Sequence, residues 1–422
     1  MLQRLEPVSS ATHQSAPISA YVRGDDRFEL QCLSSRIEIS AIESEWRALE
    51  ARCSQPFSMF QSVDWCLACL VSRERTTDGL SPSAAVYTLR KNSELVLVWP
   101  LMIERNRIGL RLLKNLSAPY AQYSNLIADT EQIPDDIIVS AINDAMALSE
   151  IDAALLDRCP AGTTLGEIVI SRGMAEYGQT SSSVLDLQSC GTWEECRAAL
   201  PKKIRRRRNQ RRNRLAKHGE LTFGVHRGGT DEFRELVRQA LIMKNDWLEK
   251  TGRTSTQLSR PETLSFLSGV TATDEHGEIG ILAHGLYCDG KPIAIEIGLR
   301  MNRYYCAYMG AFDWAWRDLS PGKTQMEYSQ QWAVESGIET YDLLGESCEY
   351  KTQWTNTEIP LYSRAIPLSA AGLVYCASWR VALRPMAKWL VASLSQNSRR
   401  TIFGLIAKLR GGAADQLRDK AA

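Results

Sequence analysis

Nowhere do the 422 residues run through eighteen consecutive apolar positions, so no membrane-spanning helix is expected. The first 35 residues lack a charged start followed by an apolar core, which excludes a recognisable secretory signal. The eleven cysteines are dispersed and odd in number, without the spacing of a disulfide framework, which suits a reducing compartment. Cys66 and Cys69 have CxxC spacing, but no second pair and no nearby histidine completes a zinc site; they read as buried small side chains. None of the five histidines is spaced with Cys, Asp or Glu as a metal ligand, so no metal is expected. Net charge is also nearly absent, at +1, so only local clusters can inform about partners. A cytoplasmic location fits these absences.

The length suits two domains plus tails, and 44% hydrophobic with 23% charged residues is a globular composition. Residues 1–35 carry Ser, Pro and Gln without period and read as a disordered lead. A first mixed α/β lobe is expected over 36–190. It has a short strand at Ile37–Ile39, a helix from Ala41 to Ala51 with Trp46 and Leu49 on one face, and a hairpin at Ala84–Leu89 and Leu95–Ile103. A further strand is expected at Tyr120–Ala128, a helix from Pro134, and a buried strand at Ile151–Leu156.

The second lobe, 191–365, has clearer punctuation. A strand at Glu220–Val225 and a helix at Asp231–Lys250 precede an antiparallel pair, Ile279–Tyr287 and Pro292–Leu299. Asp289-Gly290 between these apolar runs is a strong hairpin signal. A strand at Tyr304–Met309, a helix at Pro321–Ser336 with Gly337 behind it, and a strand at Thr340–Leu344 follow. The similar element order of both lobes makes a duplication plausible.

Tyr304-Tyr305, Gly310-Ala311-Phe312-Asp313, Leu319-Ser320-Pro321-Gly322-Lys323, Tyr341-Asp342-Leu343-Leu344-Gly345, Tyr350-Lys351, Trp354 and Pro360-Leu361-Tyr362 follow in order. This stretch resembles the cellulose-biosynthesis (CelD-like) branch of the GNAT acetyltransferases, distantly similar to the Fem aminoacyltransferases. Pro56-Phe57, Phe60-Gln61-Ser62 and Trp65 fit that family's N-terminal lobe. The resemblance spans roughly 36–365 and is sharp over the last sixty residues. It implies an α/β fold of mixed sheets, tandem GNAT-like lobes with a helical C-terminal tail. The Q/RxxGxG/A loop of ordinary GNAT enzymes is missing, and Ser-Pro-Gly-Lys stands in its place, as is usual for this branch.

Ser320 can cap the helix, Pro321 pre-sets the first-turn φ, and Gly322 lets a ligand approach the backbone. First-turn N–H groups lack carbonyl partners and favour a diphosphate, to which Lys323 could add charge. The competing reading is a well-capped helix that binds nothing. The resemblance implies acetyl-CoA, or another acyl-CoA, as cosubstrate. It also implies a gap between strands in which Cys306–Met309 lies alongside Tyr341–Leu344, putting Met309 at the cofactor. Tyr350 is the candidate acid for the departing thiolate, against a plain packing role beside Trp354. Glu296, inside an apolar strand, either faces a wet cleft or is desolvated, and is the first candidate base; Asp313 is the second and Asp342 the third. His284 could line the cleft, although a satisfied core histidine is the default. Trp247 and Lys244 resemble acceptor-pocket positions, and Lys351 is placed with them. The implied acceptor is an amine on a sugar or sugar-nucleotide bound for exopolysaccharide. The rivals are a Fem-like aminoacyl-tRNA-dependent transferase and a non-catalytic accessory subunit of a polysaccharide synthase.

Two basic regions remain. Residues 202–214 hold nine Lys or Arg within an expected helix at 200–218. It is either a solvated helix between lobes, a site for the phosphates of cofactor or sugar-nucleotide, or an RNA contact. The run has no interleaved aromatics and no base-reading module follows, which argues against nucleic acid. The tail, 366–422, contains seven Lys or Arg and no acidic residue between 369 and 410. Amphipathic helices from Pro385 (Met386, Trp389, Leu390, Leu394) and over 402–409 could lie peripherally on the inner face of an anionic membrane.

Overall fold

The computed structural model describes residues 3–5 and 17–383, except 54–55, 75–81, 149, 176–179, 254, 256, 259, 261 and 271–278, together with 386, 390 and 393. Contacts divide the chain into two units, Met1–Ser181 with Ile359–Trp389, and Ser182–Glu358 with Leu390–Ala422. These divisions differ from the expected 190/191 and 365/366 because of strand pairing. Thr180–Asp186 pairs with Thr340–Gly345 from Ser182 onward, and Thr357–Pro367 pairs with Ala153–Pro160 from Leu361.

From Ser19 on, the strand order in the first unit is Ser19–Arg23, Asp26–Leu33, Ser83–Lys91, Glu94–Arg105, Arg111–Asn115, Ala153–Pro160 and Thr357–Pro367. Only Arg111–Asn115 and Ala153–Pro160 run parallel. The first two strands overturn part of the expected lead, for alternation buries Phe28 and Leu30 in one core cluster, and Leu33 is buried on the opposite face in another. The expected strand at Ile37–Ile39 is helical, Arg36–Ala41, because Ser35 and Glu38 form a reciprocal capping box. Of Tyr120–Ala128, only Ile127–Ala128 is strand. Cys66 and Cys69 are core residues, and burial pushes the Cys69 thiol up to about 12.

In the second unit β1 (Thr180–Asp186) is followed by α1 (Trp193–Ala199), α2 (Lys202–Leu215), β2 (Leu221–Arg227), α3 (Asp231–Thr251) and α4 (Glu262–Gly269). Next come the meander β3 (Ile279–Cys288), β4 (Lys291–Met301) and β5 (Tyr304–Phe312), then α5 (Pro321–Glu335), β6 (Thr340–Gly345) and α6 (Glu349–Thr352). The sheet order is β1-β6-β5-β4-β3-β2, antiparallel except for β5 and β6. Asp289 and Gly290 take φ 48° and 75°, as the two-residue hairpin turn requires. Gly337 takes φ 70° behind α5. Cys190 and Cys196 are joined by a disulfide, which their dispersed spacing did not suggest.

Among the described residues no helix is long and apolar enough to cross a membrane. Of the expected tail helices, the first begins earlier, at Ala370–Tyr375, and continues through Cys376–Leu383. Pro385, Trp389, Leu394 and the helix over 402–409 lie outside the described residues.

Candidate active site

The parallel pairing of β5 with β6 covers only Tyr304 to Cys306 against Thr340 to Asp342. Beyond Cys306, β5 continues to Phe312 on β4, with a bulge at Tyr308, while β6 continues to Gly345 on β1. The two strands therefore part, and among the described residues none pairs with β5 on that side from Ala307 on. Met309, 5% exposed, lies on the stretch that β6 leaves.

The first turn of α5 departs from the expected cap. Ser320 is left-handed, φ 57°, and its side chain makes no capping bond. It arrives in that conformation from a short 3₁₀ turn, Trp314–Leu319, which Asp313 caps by accepting from the Ala315 N–H at 2.9 Å. Pro321 has no N–H, and the Lys323 and Thr324 amides reach the Ser320 carbonyl at 3.1 and 3.4 Å. The Gly322 amide has no acceptor among the described residues. A Cβ on Gly322 would meet only Phe312 Cδ1, at 3.7 Å, so the protein itself leaves that face open. The Thr324 hydroxyl is buried without a hydrogen-bond partner among the described residues. Asp313, placed by the sequence as a candidate base, is occupied as this cap.

Two lysines approach the parting strands. Lys244, from α3, donates to the Gly310 carbonyl of β5 at 2.9 Å and lies 4.8 Å from the centre of the Trp247 ring. Lys351, from α6, donates to the Leu344 and Gly345 carbonyls at the end of β6, at 2.9 and 3.1 Å. Burial holds both ammonium pKa values below the lysine norm, and the charges of Arg253 and then Lys351 depress Lys244 further. Tyr350 is 40% exposed, its hydroxyl 3.9 Å from Met326 Sδ and its ring 5.8 Å beneath Lys323 Nζ. Packing on α5, with Glu296 adding to it, raises its phenol above the ordinary range, so the proton stays on at neutral pH.

Glu296 resolves its sequence-level alternatives towards desolvation. It is 3% exposed, and Oε1 accepts from the hydroxyls of Tyr305 and Tyr341, each at 2.9 Å. Directly across the ladder stands His284, whose Nδ1 is 2.8 Å from Ser329 Oγ, itself accepting from Gln325 at 2.7 Å. Burial raises the Glu296 pKa and lowers that of His284 to about 3, so both favour their neutral forms. A carboxyl held in this way anchors two tyrosines rather than serving as an open base. Asp342 is also fully buried. It accepts from Ser182 at 2.5 Å, from the Leu344 amide at 2.6 Å, and from Tyr304, and so clamps β1, β5 and β6 at the point of divergence. Sequence reasoning missed Tyr305, Tyr341, Gln325 and Ser329. The i, i+4 spacing of the last two on α5 was their only readable signal.

Residues 202–352 match the family model of the acetyltransferase (GNAT) domain. This segment is a GNAT acyltransferase domain. No curated protein matches the chain. Among solved structures the chain is similar to FemX, at 11% identity and TM-score 0.53, over 80% of this chain and 98% of that one. It is similar to a conserved protein of unknown function from Bacteroides thetaiotaomicron at 11% identity and TM-score 0.50, over 80% and 100%. A tandem GNAT protein from the clavulanic acid biosynthesis pathway aligns at 11% identity and TM-score 0.40, over 81% and 99%. The first two likenesses show a shared fold and carry nothing about substrate. GNAT domains use acyl-CoA cosubstrates, and three features of this chain fit one: the open face of Gly322, its unclaimed amide and the orphaned Thr324 hydroxyl.

Proposed function

We propose that the GNAT domain transfers an acyl group, acetyl in the simplest case, from acyl-CoA to an amino group of a phosphate-bearing sugar, such as a sugar-nucleotide. Exopolysaccharide synthesis is the setting that the CelD-like resemblance suggests. The reading rests on one observation, the divergence of β5 from β6 after Cys306 and Asp342 beside the unclaimed Gly322 amide at the start of α5. The coenzyme supplies an activated thioester carbonyl. The Gly322 amide would hold the diphosphate, with Lys323 adding charge. The edge of β5 that β6 leaves after Cys306, at Ala307 and Met309, would present backbone N–H groups to the carbonyl oxygen. Tyr350, still protonated at neutral pH, would give its proton to the departing sulfur. Lys244 and Lys351, with Trp247, would hold the anionic part of the acceptor, since two desolvated cations without carboxylate partners favour a phosphate there.

The test is release of free thiol from acetyl-CoA by the full chain, with a nucleotide-linked amino sugar and the same sugar without phosphate offered as acceptors. The nucleotide-linked sugar should react, and Lys244→Ala should raise its KM by about tenfold. Thiol release with neither acceptor would overturn the reading.

A peripheral membrane contact is proposed for the tail on separate grounds. Leu373, Val374, Trp379 and Leu383 are exposed on the described helix, as are Met386 and Leu390 beyond it. The segment up to Leu383 is bound into the first unit, with Ser369 donating to Asp152 at 2.6 Å and Arg380 to Asp157 at 3.1 Å. Truncation for a flotation assay therefore belongs after Leu383.

A further inference from the structure

The basic helix α2 is not simply solvated. Arg208 is 4% exposed, and no carboxylate or carbonyl accepts from it among the described residues. Its guanidinium lies 4.0 Å from the centre of the Trp354 ring, and that of Arg211 lies 5.8 Å from the same ring. The nearby carboxylate, Glu327, is shared: it pairs with Arg197 at 3.4 Å. Three guanidiniums thus face one carboxylate. A buried, unpaired cation is costly, and stacking on an indole offsets only part of that cost. Burial is enough to pull the Arg208 pKa down to about 10. Such a site is short of one anion.

Its position indicates which anion. Trp354 is tied to α5 where its carbonyl accepts from Gln330 at 3.2 Å, and Glu327 lies one turn nearer the start of that helix. Further along α2, Arg214 reaches the Asp318 carbonyl at 3.5 Å, just before α5 begins. Basic side chains of α2 therefore track α5 from its middle to its first turn. Lys323 stands in that turn above Tyr350. A stacked guanidinium keeps its in-plane N–H fork available, the geometry that grips a phosphate monoester.

We propose that Arg208 and Arg211 of α2, with Lys323 of α5, form a second phosphate site that takes the 3′-phosphate of coenzyme A. The proposal rests on the acyl-CoA reading above and assigns one further part of that ligand.

The experiment is calorimetric titration of the full chain with coenzyme A and with 3′-dephospho-coenzyme A. Wild type should bind coenzyme A about tenfold or more tighter, and Arg211→Gln should abolish that difference while leaving affinity for the dephospho form unchanged. Arg208→Met should also abolish it, yet without ligand it should melt no lower than wild type, because it removes an unpaired buried charge. Equal wild-type affinity for the two coenzymes would overturn this site and leave the acyl-CoA reading standing. Binding of neither would overturn both. A transfer RNA that binds with steep salt dependence, and whose binding is lost in Arg211→Gln while the coenzyme preference survives, would assign the arginines to nucleic acid instead.

Discussion

Glu296 and His284 stand opposite each other on β4 and β3, enclosed by Tyr305, Tyr341, Ser329 and Trp332. The imidazole stays neutral in the folded chain down to about pH 3, whereas in the unfolded chain it takes a proton near its ordinary 6.5. Its contribution is therefore complete above 6.5 and is lost as pH falls below that value. Relative to His284→Gln, wild type should lose about 1.4 kcal/mol per pH unit below 6.5, measured by urea unfolding across a pH series. Glu296 contributes with the opposite sign, since its raised pKa costs stability as pH climbs above the ordinary carboxylate value. The difference measurement isolates the histidine. Tyr350 gives a kinetic counterpart. Tyr350→Phe should lower kcat about a hundredfold with the KM for acyl-CoA unchanged, and the wild-type rate should hold past the pH at which an ordinary phenol ionises. At this scale the sequence was informative where a residue contradicts its surroundings. Glu296 between Ile295 and Ile297 signalled a special environment. Its partners were not readable, because Tyr305 and Tyr341 meet only through a parallel register that brings together strands separated by a whole helix.

Among elements, the meander and α5 were legible through punctuation: Asp289-Gly290 at the hairpin, Pro321 at the helix start, Gly337 at its end. Ser320 was misread because the preceding 3₁₀ turn delivers it in a left-handed conformation, in which its side chain cannot reach back to the helix. That geometry makes the first turn more open than a capped one. Gly322→Ala should fold as wild type, since the added methyl meets only Phe312 at van der Waals distance. The helix α2 was legible as basic, but not as partly buried. Its burial depends on Trp354, about 150 residues away, and no local period reports such a contact. The hairpin at 19–33 was hidden by the polar stretch before it, although its alternation was present in the sequence.

Each of the two units has a meander, a following helix and a strand parallel to the meander's last: Arg111–Asn115 with Ala153–Pro160, and β5 with β6. The helices start differently. Asp135-Leu148 opens with Asp135 and Asp136, the latter paired to Arg23 at 2.5 Å, and two carboxylates at a helix start repel a diphosphate. Only the second unit is thus predicted to bind coenzyme, with a stoichiometry of one per chain. In flotation with anionic vesicles, the full chain should rise and a chain ending at Leu383 should rise less; equal flotation of both would remove the residues after Leu383 from any membrane role. The most direct measurement is titration of the full chain with acetyl-CoA, wild type against Gly322→Trp. Saturable binding of a single equivalent by wild type, abolished by the indole although the variant melts normally, is the predicted result. Unchanged binding by the tryptophan variant would contradict a coenzyme diphosphate at the start of α5.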